Sequence, residues 1–269
     1  MCQVLQVSRS GYYAWTRRPP SDRAERRAEL VEQIRTAHQQ SNGTYGSPRV
    51  HAELTEQQVE VCVNTVAKLM KEEGICSRRR QRFVVHTTDA NHDLPVAPNL
   101  LDRQFDAELP DQKWCCDITY VPTAEGFLYL AAVIDLCSRR IVGWSMADHL
   151  RTDLCLDALK MALDRRHPGS NLLHHSDRGV QYASGNYRQV LENHGISVSM
   201  SRTGNCYDNA VTESFWATLK TELVHHMEYE TLDQAKSSIF QFIECWYNRR
   251  RRHSAIGYKS PEQFEASLN

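Results

Sequence analysis

Lys113-Trp114-Cys115-Cys116-Asp117-Ile118-Thr119-Tyr120-Val121 is followed by the turn residues Thr123-Ala124-Glu125-Gly126 and then by Phe127-Leu128-Tyr129-Leu130-Ala131-Ala132-Val133-Ile134. The first run predicts a strand over 113–121, with Cys115, Asp117, Thr119 and Val121 on one face and Cys116, Ile118 and Tyr120 on the other. The second is continuously apolar, the pattern of a strand covered on both sides. Ser138-Arg139-Arg140 turns into a third strand, 141–147, so the three form an antiparallel meander. The period then switches: 152–165 reads as an amphipathic helix burying Leu154, Cys155, Ala158, Leu159 and Ala162. A strand at 172–176, a helix near 186–193 and a strand at 196–200 follow. Asp208 or Asn209 starts a helix to about Leu223, and 231–247 reads as a further long helix. The order predicts a mixed α/β sheet flanked by helices.

Upstream the chain is helical. Asp22 is placed to cap a helix to about Gln40, Ser47-Pro48 to open a second through about Gln57, and Asn64 to cap a third that Gly74 ends. Three short helices, the last two closely connected, predict a helix-turn-helix-like module. The expected organisation is a helical, helix-turn-helix-like region over 1–85, either DNA-binding or a plain helical bundle, a proline-bearing linker over 86–111, a mixed α/β core over 112–225 and a C-terminal helical region over 226–269. The net charge of −1 conceals a division: residues 1–90 carry +4, 91–200 carry −4 and 201–269 carry −1. Basic runs stand at Arg78, Arg79, Arg80 and Arg82 and at Arg249, Arg250, Arg251 and Arg252. A basic module ahead of an acidic one suits a protein that grips phosphates and holds metal ions. With 41% hydrophobic and 24% charged residues the chain is no disordered polymer. Its longest apolar run, eight residues, is far short of the ~20 of a membrane span. Nine scattered cysteines without a C-x-x-C, and no secretory signal, predict reduced thiols in the cytoplasm.

Three acids carry the candidate chemistry. Asp117 sits mid-strand, a costly place for an unpaired charge. Asp177 follows the strand 172–176, and Glu213 lies about one turn into a helix. Their oxygen-only donor set suits Mg²⁺ or Mn²⁺ rather than zinc. Thirty-five residues separate Asp177 from Glu213, although chance alone supplies about 3.5 acidic pairs at that interval. Context gives the interval its weight: Trp114-Cys115-Cys116-Asp117-Ile118-Thr119-Tyr120, His174-His175-Ser176-Asp177-Arg178-Gly179-Val180-Gln181-Tyr182, and Asn209-Ala210-Val211-Thr212-Glu213-Ser214-Phe215-Trp216-Ala217-Thr218-Leu219-Lys220.

These segments resemble the DDE catalytic core of the OrfB-type insertion-sequence transposases (insertion sequence family three), relatives of retroviral integrases. Trp246-Tyr247-Asn248, His253-Ser254, Gly257-Tyr258 and Ser260-Pro261 resemble that family's C-terminal end. Ser8-Arg9-Ser10-Gly11-Tyr12-Tyr13 and Tyr45-Gly46-Ser47-Pro48-Arg49 resemble its N-terminal region, so the likeness covers nearly the whole chain. It implies a ribonuclease-H-like fold and a polynucleotidyl transferase for DNA integration and recombination. Such an enzyme cleaves the element's 3′ ends and transfers them to a new phosphodiester without a covalent protein–DNA intermediate. The resemblance further implies two Mg²⁺ or Mn²⁺ ions held by Asp117, Asp177 and Glu213, with Asp117 between them. It places a DNA-facing basic residue at Lys220, seven residues after Glu213 on one helical face. Arg178 and the 249–252 run are further candidates for phosphate contact. Expected partners are double-stranded element ends and target, further copies of the chain, and an OrfA segment that supplies a leucine zipper; no sustained heptads stand in this chain.

Phe215, Trp216 and Leu219 are expected in the core. Adjacent His174 and His175 lack further ligands at zinc spacing. His38, His51, Cys62 and Cys76, at intervals of 12, 10 and 13 residues, do not fit a zinc module either. Two alternatives stay open at this level: a ribonuclease-H-like nuclease without strand transfer, and a catalytically silent DNA-binding regulator of transposition.

Overall fold

Residues 2–78, 94–202 and 206–268 are described by the computed structural model, and they divide into two units, Met1–Ser77 and Arg78–Asn269. In the first, α1 (Arg9–Thr16) buries no side chain, and α2 (Asp22–Gln40), α3 (Ser47–Glu56) and α4 (Val63–Glu72) share one core. Val31, Ile34, Ala37, Tyr45, Val50, Leu54, Val66, Leu69 and Met70 fill it. Each predicted helix exists, but each cap sits one or two residues earlier. Ser21 rather than Asp22 accepts the Ala24 N–H, leaving Asp22 and Glu25 in the first turn, where they favour the positive helix end. Gly46 and Cys62 precede α3 and α4 in place of Ser47 and Asn64. Gly74, at φ +66°, terminates the α4 turn as expected. His38 and His51 bond the Tyr45 and Val61 carbonyls. Of the basic run, Arg78 is exposed, while Arg79, Arg80 and Arg82 lie outside the described residues.

The second unit is built on β1 (Lys113–Thr123), β2 (Gly126–Asp135), β3 (Ile141–Ala147), α5 (Thr152–Arg166), β4 (Leu173–Ser176), α6 (Val180–Ala183), α7 (Gly185–Asn193), β5 (Ser197–Met200), α8 (Ala210–Glu222), α9 (Leu232–Phe240) and α10 (Pro261–Ala266). A 3₁₀ turn, Cys206–Asn209, leads into α8, and α9 runs on through a π turn, Gln241–Tyr247. The five-stranded sheet has the order β3-β2-β1-β4-β5. The meander β1–β2–β3 is antiparallel, and β4 and β5 join parallel.

Both faces of the sheet are covered, which is why β2 could be apolar throughout. Trp114, Cys116, Ile118, Ala131 and Val133 pack beneath α5 and α7, and Val121, Leu128, Leu130, Ala132 and Ile134 beneath α8 and α9. Helix α5 rides close on β3 at Gly143, where any Cβ would collide with the Ala158 carbonyl oxygen. Edge strand β3 is closed by the Asn248 amide, which accepts the Ile141 N–H and donates to the Ile141 carbonyl. Ser260 and Gln263 form a capping box on α10, with Pro261 at its first helical position.

Two features depart from the expected plan. Residues 94–111, read as linker, form a strap bound to the core. Leu101 is buried, the Leu100 and Leu101 N–H groups donate to Ser199, and Asn99 reaches Asp208. The C-terminal helices, read as a region apart, complete the core under β2.

Candidate active site

Strand β1 is long and β4 short, and this difference opens the site. The parallel pairing of the two strands ends at Cys116 and Ser176. Asp117 and Asp177 are the next residue of each, side by side where β4 leaves the flank of β1. The meeting point is thus the middle of the sheet, at the carboxyl end of β4, and not an outer edge; such ends of parallel strands are the usual seat of α/β sites. Strand alternation turns Asp117 to the face that α8 covers, and Glu213 stands exposed in the first turn of α8.

The three acids feel one another. Asp117 is pushed up to about 8, first by desolvation and then by the Asp177 charge, with Glu213 adding to the rise. Two hydrogen bonds oppose this: the Ile118 N–H donates to Asp117 Oδ1 at 2.8 Å and the Trp216 Nε1–H to Oδ2 at 3.0 Å. Asp177 Oδ1 accepts the Gly179 N–H at 2.9 Å. Among the described residues, no three His, Cys, Asp or Glu side chains stand as a closed metal-binding group. The donors nonetheless fit a hard divalent cation, since they are all carboxylate oxygens.

The expected basic partners separate into two kinds. Lys220 is 5% exposed, lies on α8 with its Nζ 5.6 Å from the centre of the Tyr120 ring, and is lowered to about 8 by desolvation, against the pull of Asp117. It is folded back toward the sheet instead of outward. Arg178 is half-buried and donates to the Ser201 carbonyl. Arg249 and Arg250 are exposed. Arg251 and Arg252, expected on DNA, are interior: Arg251 pairs with Glu222 at 2.7 Å, and Arg252 donates to the Tyr258 carbonyl and Gln263. Both groups have their donors turned into the protein, which corrects their assignment as phosphate contacts.

His174 lies between Cys116 Sγ and the Tyr187 hydroxyl, and His175 against the Ser199 hydroxyl; burial lowers them to about 3 and about 4, so both are neutral core groups. Phe215, Trp216 and Leu219 are buried as expected. Two contributions escaped the sequence reading. The polar use of Trp216 was signalled only by its place three residues after Glu213, on the same helical face. Asp208, read as a helix start, instead receives Arg202 and Arg103, which hold its carboxyl well below the usual range, and with Asn99 they tie the strap to the head of α8.

Two family models described as integrase core domain match residues 107–206 and 194–261, and one described as HTH-like domain matches 25–83. The Insertion element IS600 uncharacterized 31 kDa protein of Shigella sonnei is 46% identical over 264 residues, 98% of this chain and 97% of that protein. Transposase InsF for insertion sequence IS3A of Escherichia coli strain K12 is 44% identical over 267 residues, 98% of this chain and 92% of the relative. A chain of the simian T-cell lymphotropic virus intasome, solved by cryo-EM in complex with PP2A regulatory subunit B56 gamma, shares the fold, with a TM-score of 0.50 and 13% identity over 87% of this chain and 74% of that one. Sheet order, covered faces and integrase core define a polynucleotidyl transferase class. Within it, the chain belongs to the IS3 family of insertion-sequence transposases.

Proposed function

We propose that Asp117, Asp177 and Glu213 carry the transposase chemistry, cutting each 3′ end of the element and joining the freed 3′-hydroxyl to a second phosphodiester. The observation that carries this reading is that Asp117 and Asp177 immediately follow the last paired residues of β1 and β4, with Asp117 hydrogen-bonded to the helix that bears Glu213. Mg²⁺ or Mn²⁺, as one or two ions, would be held by these three side chains and supply Lewis-acid stabilisation of the attacking and departing oxygens. Exposed Glu213, in the first turn of α8, would close on the two strand-borne aspartates to complete the set. Ile118 and Trp216 orient Asp117, and Gly179 orients Asp177. Phosphate grip falls to Arg178, Arg249 and Arg250, and to the helix-turn-helix-like unit. The reading places the protein in the bacterial cytoplasm on nucleoid DNA, with an OrfA segment, fused or separate, and further copies of the chain as partners.

The experiment is incubation of the full chain, alone and fused to OrfA, with labelled element-end duplex and Mg²⁺ or Mn²⁺. Nicked and joined products are expected. Asp117→Ala, Asp177→Ala and Glu213→Ala should each abolish both products while duplex binding persists, because grip and chemistry reside in different residues. Near-wild-type joining by any one variant would remove that residue from the site. Nicking without joining would leave a nuclease.

A further inference from the structure

We propose that Trp216 is a positioning residue for this site: its indole N–H holds the Asp117 carboxylate and thereby fastens the helix bearing Glu213 to the strand bearing Asp117. The inference rests on Asp117 and Glu213 being metal ligands.

Each oxygen of Asp117 receives one donor from a rigid source: the backbone of β1 for Oδ1 and an indole for Oδ2. A carboxylate held at both oxygens cannot rotate about its terminal bond, and each oxygen keeps a lone pair for a cation. The indole is itself immobile. Trp216 is 7% exposed, its ring packs 4.8 Å from the Phe215 ring, and it belongs to the cluster that joins α8 and α9 to β2. Residues three apart on a helix share a face, so Trp216 and Glu213 project toward the same region. The bond is thus a cross-tie between two of the three elements that bring acids to the site. Core packing alone would be served by any large apolar ring; only the nitrogen reaches the acid. Partners that orient ligating carboxylates typically govern metal affinity by 10–100-fold.

The test compares Trp216→Phe, which keeps a ring and loses the donor, with Trp216→His, whose Nε2–H restores a donor on a smaller ring. Mn²⁺ is titrated into the full chain with free ion followed by electron paramagnetic resonance, and joining kinetics are measured on element-end DNA. Trp216→Phe should bind Mn²⁺ about 10–100-fold more weakly and lose kcat in proportion, with KM for DNA unchanged. Trp216→His should recover part of both. A packing role reverses that order, because His fills less space than Phe, and would overturn the proposal. So would Mn²⁺ affinity of Trp216→Phe within about twofold of wild type.

Asp117→Asn separates the two readings. If it leaves Mn²⁺ binding and joining intact, the ligand assignment falls and this inference falls with it. If it abolishes both while Trp216→Phe matches wild type, only the role of Trp216 is lost. Should Trp216→Phe and Trp216→His fail to fold, wild-type chain carrying ¹⁵N at its five tryptophans decides. One indole N–H resonance should move on Mg²⁺ titration, and none moving would overturn the proposal.

Discussion

Asp117 concentrates the electrostatics of the site in one side chain, and its consequence is a pH dependence with a definite sign. Lifted from 3.8 to about 8, it keeps a proton in the folded, metal-free chain that the unfolded chain has already released. Stability therefore falls as pH rises from about 4 to 8, by at most ~1.4 kcal/mol per pH unit. His174 and His175 act oppositely. Their folded values of about 3 and about 4 lie below the ordinary 6.5, so the unfolded chain takes up protons first and stability falls as pH drops through that window. The Asp117 contribution is isolated by comparison with Asp117→Asn. That variant is expected to be more stable than wild type in chelator, by a margin that widens from pH 5 to pH 8, read from urea unfolding at each pH. A constant margin would mean that Asp117 is ionised throughout. The face of Asp117 was legible in the sequence, because alternation along β1 is a strict two-residue repeat. The indole bond was not, because periodicity sorts a residue such as Trp216 to core or surface and says nothing of where its one polar atom points.

Elements were read well in type and poorly at their ends, for a physical reason visible at Ser21 and Asp22. Both side chains are good N-caps, and only the backbone angles at the junction choose between them. Residues 94–111 failed differently. Proline, asparagine and aspartate marked a linker, yet Asn99, Leu101 and Arg103 each find a partner far along the chain that local composition cannot reveal. The arginine run shows the same limit. It follows the π turn 241–247, where the chain bends back over α8, so consecutive arginines divide between solvent and core. Arg251 and Glu222 are about equally buried, at 5% and 7% side-chain exposure. Arg251→Ala takes the guanidinium away from the buried Glu222 carboxylate and should cost about 3–5 kcal/mol in urea unfolding, whereas Arg251→Met with Glu222→Leu should recover most of it. A loss under about 1 kcal/mol for the single variant would show that water reaches Glu222.

At the scale of the molecule, charge is divided along the chain: the basic excess lies in the first 90 residues, and the acidic excess in residues 91–200, which include Asp117 and Asp177. The antiparallel meander and the mixed sheet were legible because strand and helix periods agreed along the chain, while the three acids were nominated there by an interval of 35 residues and their motif context. Surface grip was not, because a basic run in sequence is not a basic patch in space. Arg249 and Arg250 face solvent and Arg251 and Arg252 do not. Replacing the exposed pair by alanine tests the surface at this end of the run. It should flatten the dependence of log K on log salt for element-end duplex by about 0.9 for each phosphate no longer neutralised, and so by at most about 1.8. Fluorescence anisotropy across a salt series measures the slope directly. Binding should weaken alike for specific and unrelated duplex, because groups that grip phosphate position a protein without reading bases. An unchanged slope would withdraw Arg249 and Arg250 from the DNA surface and leave the N-terminal unit, with Arg178, to hold the duplex.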